Sequence, residues 1–277
     1  MGKSTLINQL LGEKLSIVTP KPQTTRHRIL GILSTADYQI VLSDVPGYVE
    51  EVSYHMHQKM NSYIEESFED ADILVVMVSP LDQNELADEI VQRIRQSEVY
   101  KILVINKVDL SNESEVDALA QQWSEKLPFD KVLKMSAEHG AGVGDLLDVL
   151  VEHLPEGPEY YPKDQISNRN IRFFVSELIR EQIFLQFRQE IPYSAQVDIE
   201  SYREEEDIIH IEAMIYVNRK SQKHILIGKN GSAIKELGIK SRENIEEYLG
   251  KKVFLKLHVK VRERWRDNED LLRKFGY

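Results

Sequence analysis

Lys101-Ile102-Leu103-Val104-Ile105-Asn106-Lys107-Val108-Asp109 decides how the first half of this chain is read. Its apolar run, Ile102 to Ile105, is unbroken, as expected of a strand covered on both faces in a parallel sheet. It ends in Asn-Lys-Val-Asp. A carboxylate at the fourth position can accept two hydrogen bonds from guanine, at N1–H and the 2-amino group. Adenine offers neither, so a buried Asp109 would be left unpaired by an adenine nucleotide. Asn106, Lys107 and Asp109 are therefore candidate base contacts.

Working outward, similar runs occupy residues 38–44, 72–79 and 131–136. Ser136-Ala137 closes the last, where a second loop could back the base. Leu86, Ile90 and Ile94 recur at helical spacing behind an Asp82/Glu85 pair resembling a capping box. Val143, Leu146, Leu147, Leu150 and Leu154 recur in the same way before Pro155. The pattern predicts a doubly wound α/β domain with a mostly parallel sheet over residues 1–154.

Two further motifs suit a nucleotide's phosphates. Gly2-Lys3-Ser4-Thr5 looks like the end of a Walker A loop, whose backbone N–H groups surround phosphates. Its Lys reaches the β/γ-phosphates and its Ser hydroxyl ligates Mg²⁺. The loop's first glycine would precede the chain, so the first strand and the start of this loop are expected to be missing and activity of the chain as given to suffer. Asp44-Val45-Pro46-Gly47 ends an apolar strand, where an Asp can hold a Mg²⁺-bound water and a Gly can present its N–H to a γ-phosphate. Taken singly, each motif also reads as a plain turn; their order and spacing along one chain favour a GTP site.

Beyond Leu154, the Pro-rich, polar residues 155–170 read as a linker. Residues 171–277 change rhythm. A helix over about 172–190 precedes strand patterns at Ala195/Val197/Ile199 and Ile209 to Val217. A helix near Ser221, the tetrapeptide Gly228-Lys229-Asn230-Gly231, a second helix to Tyr248 and a strand over 253–261 follow. This predicts an α+β domain with helices against one face of a three-stranded sheet. Overall charge is −11, yet Ile215 to Arg266 holds fourteen Lys/Arg against five Asp/Glu, a net +9 that leaves −20 elsewhere. That segment suits a polyanion. In the last strand Val253, Leu255, Leu257, Val259 and Val261 alternate with Phe254, Lys256, His258, Lys260 and Arg262, giving a cationic face expected beside the Gly-x-x-Gly loop.

Composition excludes several classes. The chain contains no cysteine, so disulfides and thiolate metal sites are ruled out, which fits a reducing cytosol. No run of eighteen apolar residues is present to span a membrane. The opening lacks a signal peptide's apolar region, and Leu6 stands where a myristoylation signal needs Ser or Thr.

Together these motifs resemble the translation-factor-like GTPases, and within them the Era family, from Gly2 to the C-terminus. Residues 221–231, SQKHILIGKNG, resemble a KH-domain helix–GxxG–helix. The resemblance implies a GTP hydrolase using GTP/GDP and Mg²⁺, whose KH domain binds the 3′ end of 16S ribosomal RNA. It would act in small-subunit (30S) maturation, with GTP gating the RNA. Lys21 to Arg28 resembles switch I, in which Thr25, or failing that Thr24, would sense the γ-phosphate. The implied Mg²⁺ set is Ser4, Thr25 and Asp44. The implied RNA contacts are Lys223, Ile225, Ile227, Gly228, Lys229, Asn230, Gly231, Lys235, Lys256, Lys260 and Arg262. Some relatives add a potassium ion held by a P-loop Asn outside this chain.

The chain departs from the family pattern at Val45, where Thr is commoner. Tyr48 stands where Ras-like enzymes carry a water-orienting Gln, so no catalytic residue is named. Trp265 is expected either to anchor the last helix or to stack a base. The expected protein is a cytoplasmic monomer, with family precedent for peripheral attachment to the membrane's cytoplasmic side. The competing reading is a nucleotide-independent RNA-binding protein with a decayed GTPase half.

Overall fold

The computed structural model describes residues 1–82 and 86–277. Contacts divide them into two compact units: Met1–Ser16, Arg28–Glu51 and Met60–Asn168 form one, while Ile17–His27, Val52–Lys59 and Arg169–Tyr277 form the other. Two short pieces of the sequence's first half thus belong with the second unit, unlike the linear reading.

The first unit is built on β3 (Ile73–Val78), β4 (Tyr100–Ile105) and β5 (Lys131–Lys134), paired in parallel with β4 in the middle. Ile102, Leu103, Val104 and Ile105 are fully buried. Alternation along the strand explains the unbroken apolar run. Ile102 and Val104 pack with Leu6, Met77, Leu146 and Leu150, whereas Leu103 and Ile105 pack with Val91, Ile94, Val116 and Trp123. The first group draws on α1 (Lys3–Leu11) and α5 (Val143–His153), the second on α3 (Asp88–Gln96) and α4 (Glu113–Lys126). Both faces of the sheet are covered, as a doubly wound fold requires.

The run at 38–44 forms β2 (Gln39–Asp44), which pairs antiparallel with β1 (Ile29–Ser34), a strand that the sequence reading did not identify. The helix α2 (His55–Glu69) was also missed. The expected capping box is not the start of α3: that helix begins after Ala87, which makes no side-chain cap bond, and Glu85 lies outside the described residues. Residues 155–168 form no long element, yet the segment is tied to β1. Ile32 N donates to Ile166 O at 2.9 Å, Leu30 N to Asn168 Oδ1 at 3.0 Å, and Ser167 Oγ to Leu30 O at 2.7 Å.

The second unit contains α6 (Ile171–Gln186), α7 (Ile191–Ser194), β6 (Gln196–Glu204), β7 (Ile208–Val217), α8 (Lys220–Ile227), α9 (Ser232–Leu249), β8 (Lys252–Val261) and α10 (Glu269–Lys274). The sheet order is β6-β7-β8, antiparallel then parallel. Val175, Ile179 and Ile183 of α6, Leu226 of α8, and Leu237 and Ile245 of α9 pack against Ile209, Ile211, Ala213 and Ile215 of β7. The helices thus lie on one sheet face, in the predicted order.

Candidate functional site: the loops around Asn106 and the Gly-x-x-Gly turn

In the first unit, Asn106 connects three loops. Its Nδ2 donates to Met1 O at 2.8 Å, its Oδ1 accepts from Ala137 N at 2.9 Å, and its own N–H donates to Val78 O at 2.8 Å. Gly2, at φ +102°, lies so close that a Cβ there would meet Asn106 Nδ2 at 2.5 Å. The start of α1, the end of β3 and the Ser136-Ala137 loop are therefore set by one amide.

The motif read from sequence as a phosphate loop lies at the start of α1. Gly2 precedes Lys3 and Ser4 there, and the first-turn N–H groups of a helix attract anions. Ser4 Oγ donates to Asp44 Oδ2 at 2.7 Å. Asp44 is 1% exposed, and its other oxygen has no hydrogen-bond partner. Burial raises its carboxyl above the usual range, opposed by the Ser16 hydroxyl, the Lys3 charge and the Ser4 hydroxyl. An orphaned buried carboxylate oxygen beside a Ser hydroxyl is a hard oxygen donor set, which fits Mg²⁺. Val45, Pro46 and Gly47 follow directly after β2 ends.

In the Asn-Lys-Val-Asp loop, Lys107 takes a left-handed conformation, φ +62°, and opens a single 3₁₀ turn, Val108–Leu110, that carries Asp109. The Asp109 carboxylate lies 3.6 Å from His139 Nε2. It is held below the ordinary range chiefly by the Ser136 side chain, with His139 and Lys107 adding to the effect. A carboxylate kept ionised is what acceptance from guanine needs.

Ser4 and Asp44 are thus brought together, as are Asn106 and Ala137. Thr24 and Thr25 belong instead to the second unit. Thr24 is buried; its Oγ1 donates to Lys21 O at 2.7 Å and lies 2.6 Å from Thr19 Oγ1. Lys21 Nζ donates to the carbonyls of Phe184 and Phe187 at the end of α6. Arg26, 2% exposed, donates to the carbonyls of Pro192 (2.9 Å), Tyr193 (2.9 Å) and Ala195 (2.8 Å). Trp265 Nε1 takes the remaining carbonyl of that turn, Ser194 O, at 3.0 Å. Trp265 is fully buried, so it anchors the C-terminal elements; stacking a base is excluded.

The Gly-x-x-Gly loop joins α8 to α9. Gly228 has φ +73°, and a Cβ would meet the Ala233 Cβ at 2.7 Å; Gly231 has φ +77° with open space around it. Close approach fixes the first glycine and backbone sign the second. Lys229, Asn230 and Lys235 are exposed. Ile225, one of the implied RNA contacts, is 49% exposed, while Leu226 and Leu237 fill the core there. Helical phase turns Ile225 outward beside the loop.

The cationic face of β8 needs a further correction. Leu255, Leu257, Val259 and Val261 pack toward the helices. Alternation therefore directs Phe254, Lys256, His258, Lys260 and Arg262 to the opposite face of the sheet, away from α8, α9 and their loop.

Residues 1–107 match the family described as 50S ribosome-binding GTPase, and residues 190–266 match the KH domain. GTPase Era of Coxiella burnetii (strain Dugway 5J108-111) is 41% identical over 278 residues, covering all of this chain and 94% of that protein. The chain belongs to the Era family. A chloroplastic GTPase ERA-like protein of Oryza sativa subsp. japonica is 45% identical over 284 residues, and the chain spans 66% of its length. Among solved structures, Aquifex aeolicus Era bound to GDP·AlF4⁻ superposes with a TM-score of 0.93 at 34% identity, covering 100% of this chain and 95% of that one. Era in complex with MgGDPNP and nucleotides 1506–1542 of 16S ribosomal RNA gives the same TM-score and identity, covering 94% of that chain.

Proposed function

We propose that this Era-family protein is a GTP hydrolase that binds the 3′-end region of 16S ribosomal RNA. Its task is 30S subunit maturation, in which GTP hydrolysis switches affinity for RNA and ribosome. The observation that carries this reading is the pairing of Ser4 with a buried Asp44 whose second oxygen is orphaned. It lies in the unit where Asn106 also fixes the base loop.

Asp109 reads the guanine edge, with Asn106 and Lys107 shaping its loop and Ser136-Ala137 backing the base. Gly2, Lys3, Ser4 and Thr5 cradle the phosphates at the start of α1. Ser4 and Asp44 would hold Mg²⁺, which when bound neutralises charge on the phosphate oxygens. Gly47, after Val45 and Pro46, offers its N–H to the γ-phosphate, and Thr25 or Thr24 senses it. On the RNA side, Lys229 and Asn230 meet the nucleic-acid backbone between the two glycines. Lys223 and Lys235 add charge, and Ile225 and Ile227 offer apolar surface to bases.

The working unit is a single chain in the cytoplasm, and contact with the membrane would be peripheral. No helix among the described residues is long and apolar enough to cross a membrane. The test is filter binding of a 3′-end 16S oligonucleotide with a non-hydrolysable GTP analogue, with GDP and with no nucleotide. Retention should be tightest with the GTP analogue, by about tenfold over GDP, a typical allosteric coupling. Equal retention in all three would overturn the switch and favour a nucleotide-independent RNA binder.

A further inference from the structure

We propose that the outer face of the KH sheet around Phe254 is a second RNA-contact surface, separate from the GKNG loop, which takes a single-stranded nucleotide by stacking its base on the Phe254 ring. This inference rests on the proposed RNA-binding function and adds a site to it.

Phe254 is 53% exposed on the sheet face that bears no α6, α8 or α9 contact. Directly across the parallel register stands His210, and the two ring centroids are 5.5 Å apart. Together they make a two-ring platform near the start of the edge strand β8 and its neighbour β7. The exposed Lys252 and Lys256 flank Phe254 on the same face, each two residues away, or about 7 Å along a strand. Lys260 and Arg262, also exposed, continue the series. Lys256 lies 3.5 Å from Glu212, with side chains 51% and 40% exposed, and a half-exposed pair of this kind is weak enough to yield to a phosphate.

The protein covers an aromatic residue on this face where one needs covering. Tyr216 is buried under Phe275 of the C-terminal segment, with centroids 5.2 Å apart, and Lys274 pairs with Asp198 at 2.7 Å beside it. That cover does not extend to Phe254. Lysines alone would be explained by the need to discourage strand pairing at a sheet edge. An exposed aromatic ring among them is not explained that way, but it is what single-strand binding uses: cations tracking the backbone and an aromatic face for the base. The run of cations favours RNA over a protein surface as the occupant.

The test measures the full chain against a single-stranded oligonucleotide of the 3′-end region, by fluorescence anisotropy at several salt concentrations. Phe254→Leu keeps apolar bulk without a π-face and should weaken binding by about tenfold. Phe254→Trp should restore it, and thermal melts should be unchanged. Lys256→Gln with Lys260→Gln should lower the salt slope by about 1.4, for two phosphates lost on a single strand. Wild-type affinity in Phe254→Leu, or an unchanged salt slope in the double variant, would overturn the proposal. If Lys229→Asp with Asn230→Asp still abolishes binding, only the second surface falls; if neither set matters, the RNA-binding reading falls with it. Loss of ribosome co-sedimentation with normal RNA affinity would assign the face to a protein and also overturn the proposal.

Discussion

The Arg266 guanidinium carbon lies 3.7 Å from the centre of the Tyr54 ring. With the Asn218 amide turned to suit its neighbours, its oxygen accepts from Arg266 Nη2 at 3.0 Å and Nε at 3.1 Å. Asn218 N in turn donates to Gln222 Oε1 at 3.1 Å, in the first turn of α8. A stack and a fork of hydrogen bonds therefore connect residue 54, soon after the Asp44-Val45-Pro46-Gly47 loop in sequence, to the helix that enters the GKNG loop. Arg266→Ala should lower stability by about 1–2 kcal/mol, from the stack and the lost bonds. Arg266→Lys should recover less than half, because an ammonium group lacks the planar fork. Urea unfolding of the three proteins checks this, and a double cycle with Tyr54→Ala isolates the stack.

Base choice should depend on Asp109. Asp109→Asn should reduce affinity for GTP and raise it for xanthosine triphosphate, whose ring presents the complementary group. Discrimination at a hydrogen-bonded site should shift by at least about a hundredfold. Competition of labelled GTP by each nucleotide reads the change, and equal GTP binding by both proteins would remove this loop from the base site.

RNA affinity should depend on the loop between α8 and α9. Lys229→Asp with Asn230→Asp places two negative charges beside phosphates and should cost at least about tenfold in filter binding at fixed salt. The fold should survive. Asn230 has φ +53°, a conformation Asp also adopts readily, and both side chains are exposed. Circular dichroism melts should therefore match wild type, and GTP affinity should not move.

His27 should make the second unit acid-sensitive. It is 2% exposed between Phe173 and Tyr277. Burial pushes its pKa from 6.5 down to about 3; Glu177 opposes this, while Arg169, Arg180 and Arg26 reinforce it. Below pH 6.5 the unfolded chain takes up a proton that the folded one refuses. The stability conferred by the neutral ring is thus complete above pH 6.5 and falls by about 1.4 kcal/mol per pH unit down to about pH 3. His27→Phe keeps an aromatic ring in place, so wild type should lose about 2 kcal/mol more than the variant between pH 7 and pH 5 in urea titrations. Parallel pH profiles would show that His27 is not the titrating group.

Most of the architecture was legible where burial is two-sided or strictly alternating. The run 102–105 could be read as a doubly covered strand because no polar residue interrupts it, and β7 because its period of two is clean. β1 was not legible: Ile29-Leu30-Gly31-Ile32-Leu33 follows a polar, loop-like stretch, and its antiparallel partner gives no local sign of itself. The motifs that order and spacing single out are the ones joined by the Ser4–Asp44 and Ala137–Asn106 hydrogen bonds. The placement of Lys256 and Lys260 was misjudged because parity along a strand assigns faces without saying which face carries the helices. The roles of Arg26 and Arg266 had no sequence signal, since their partners are backbone carbonyls and an aromatic ring distant in the chain.

Residues 17–27 carry the threonines proposed to sense the γ-phosphate, yet Arg26 and Lys21 fasten them to carbonyls of α6 and α7 in the RNA-binding unit. If nucleotide binding rearranges that segment, the work done on it is shared with RNA by thermodynamic necessity. The factor by which GTP changes RNA affinity must equal the factor by which RNA changes GTP affinity. An RNA 3′ end would then act as an effector of nucleotide choice, favouring GTP over GDP on the protein that holds it. The order in which the two ligands arrive would alter the kinetics but not the final occupancy.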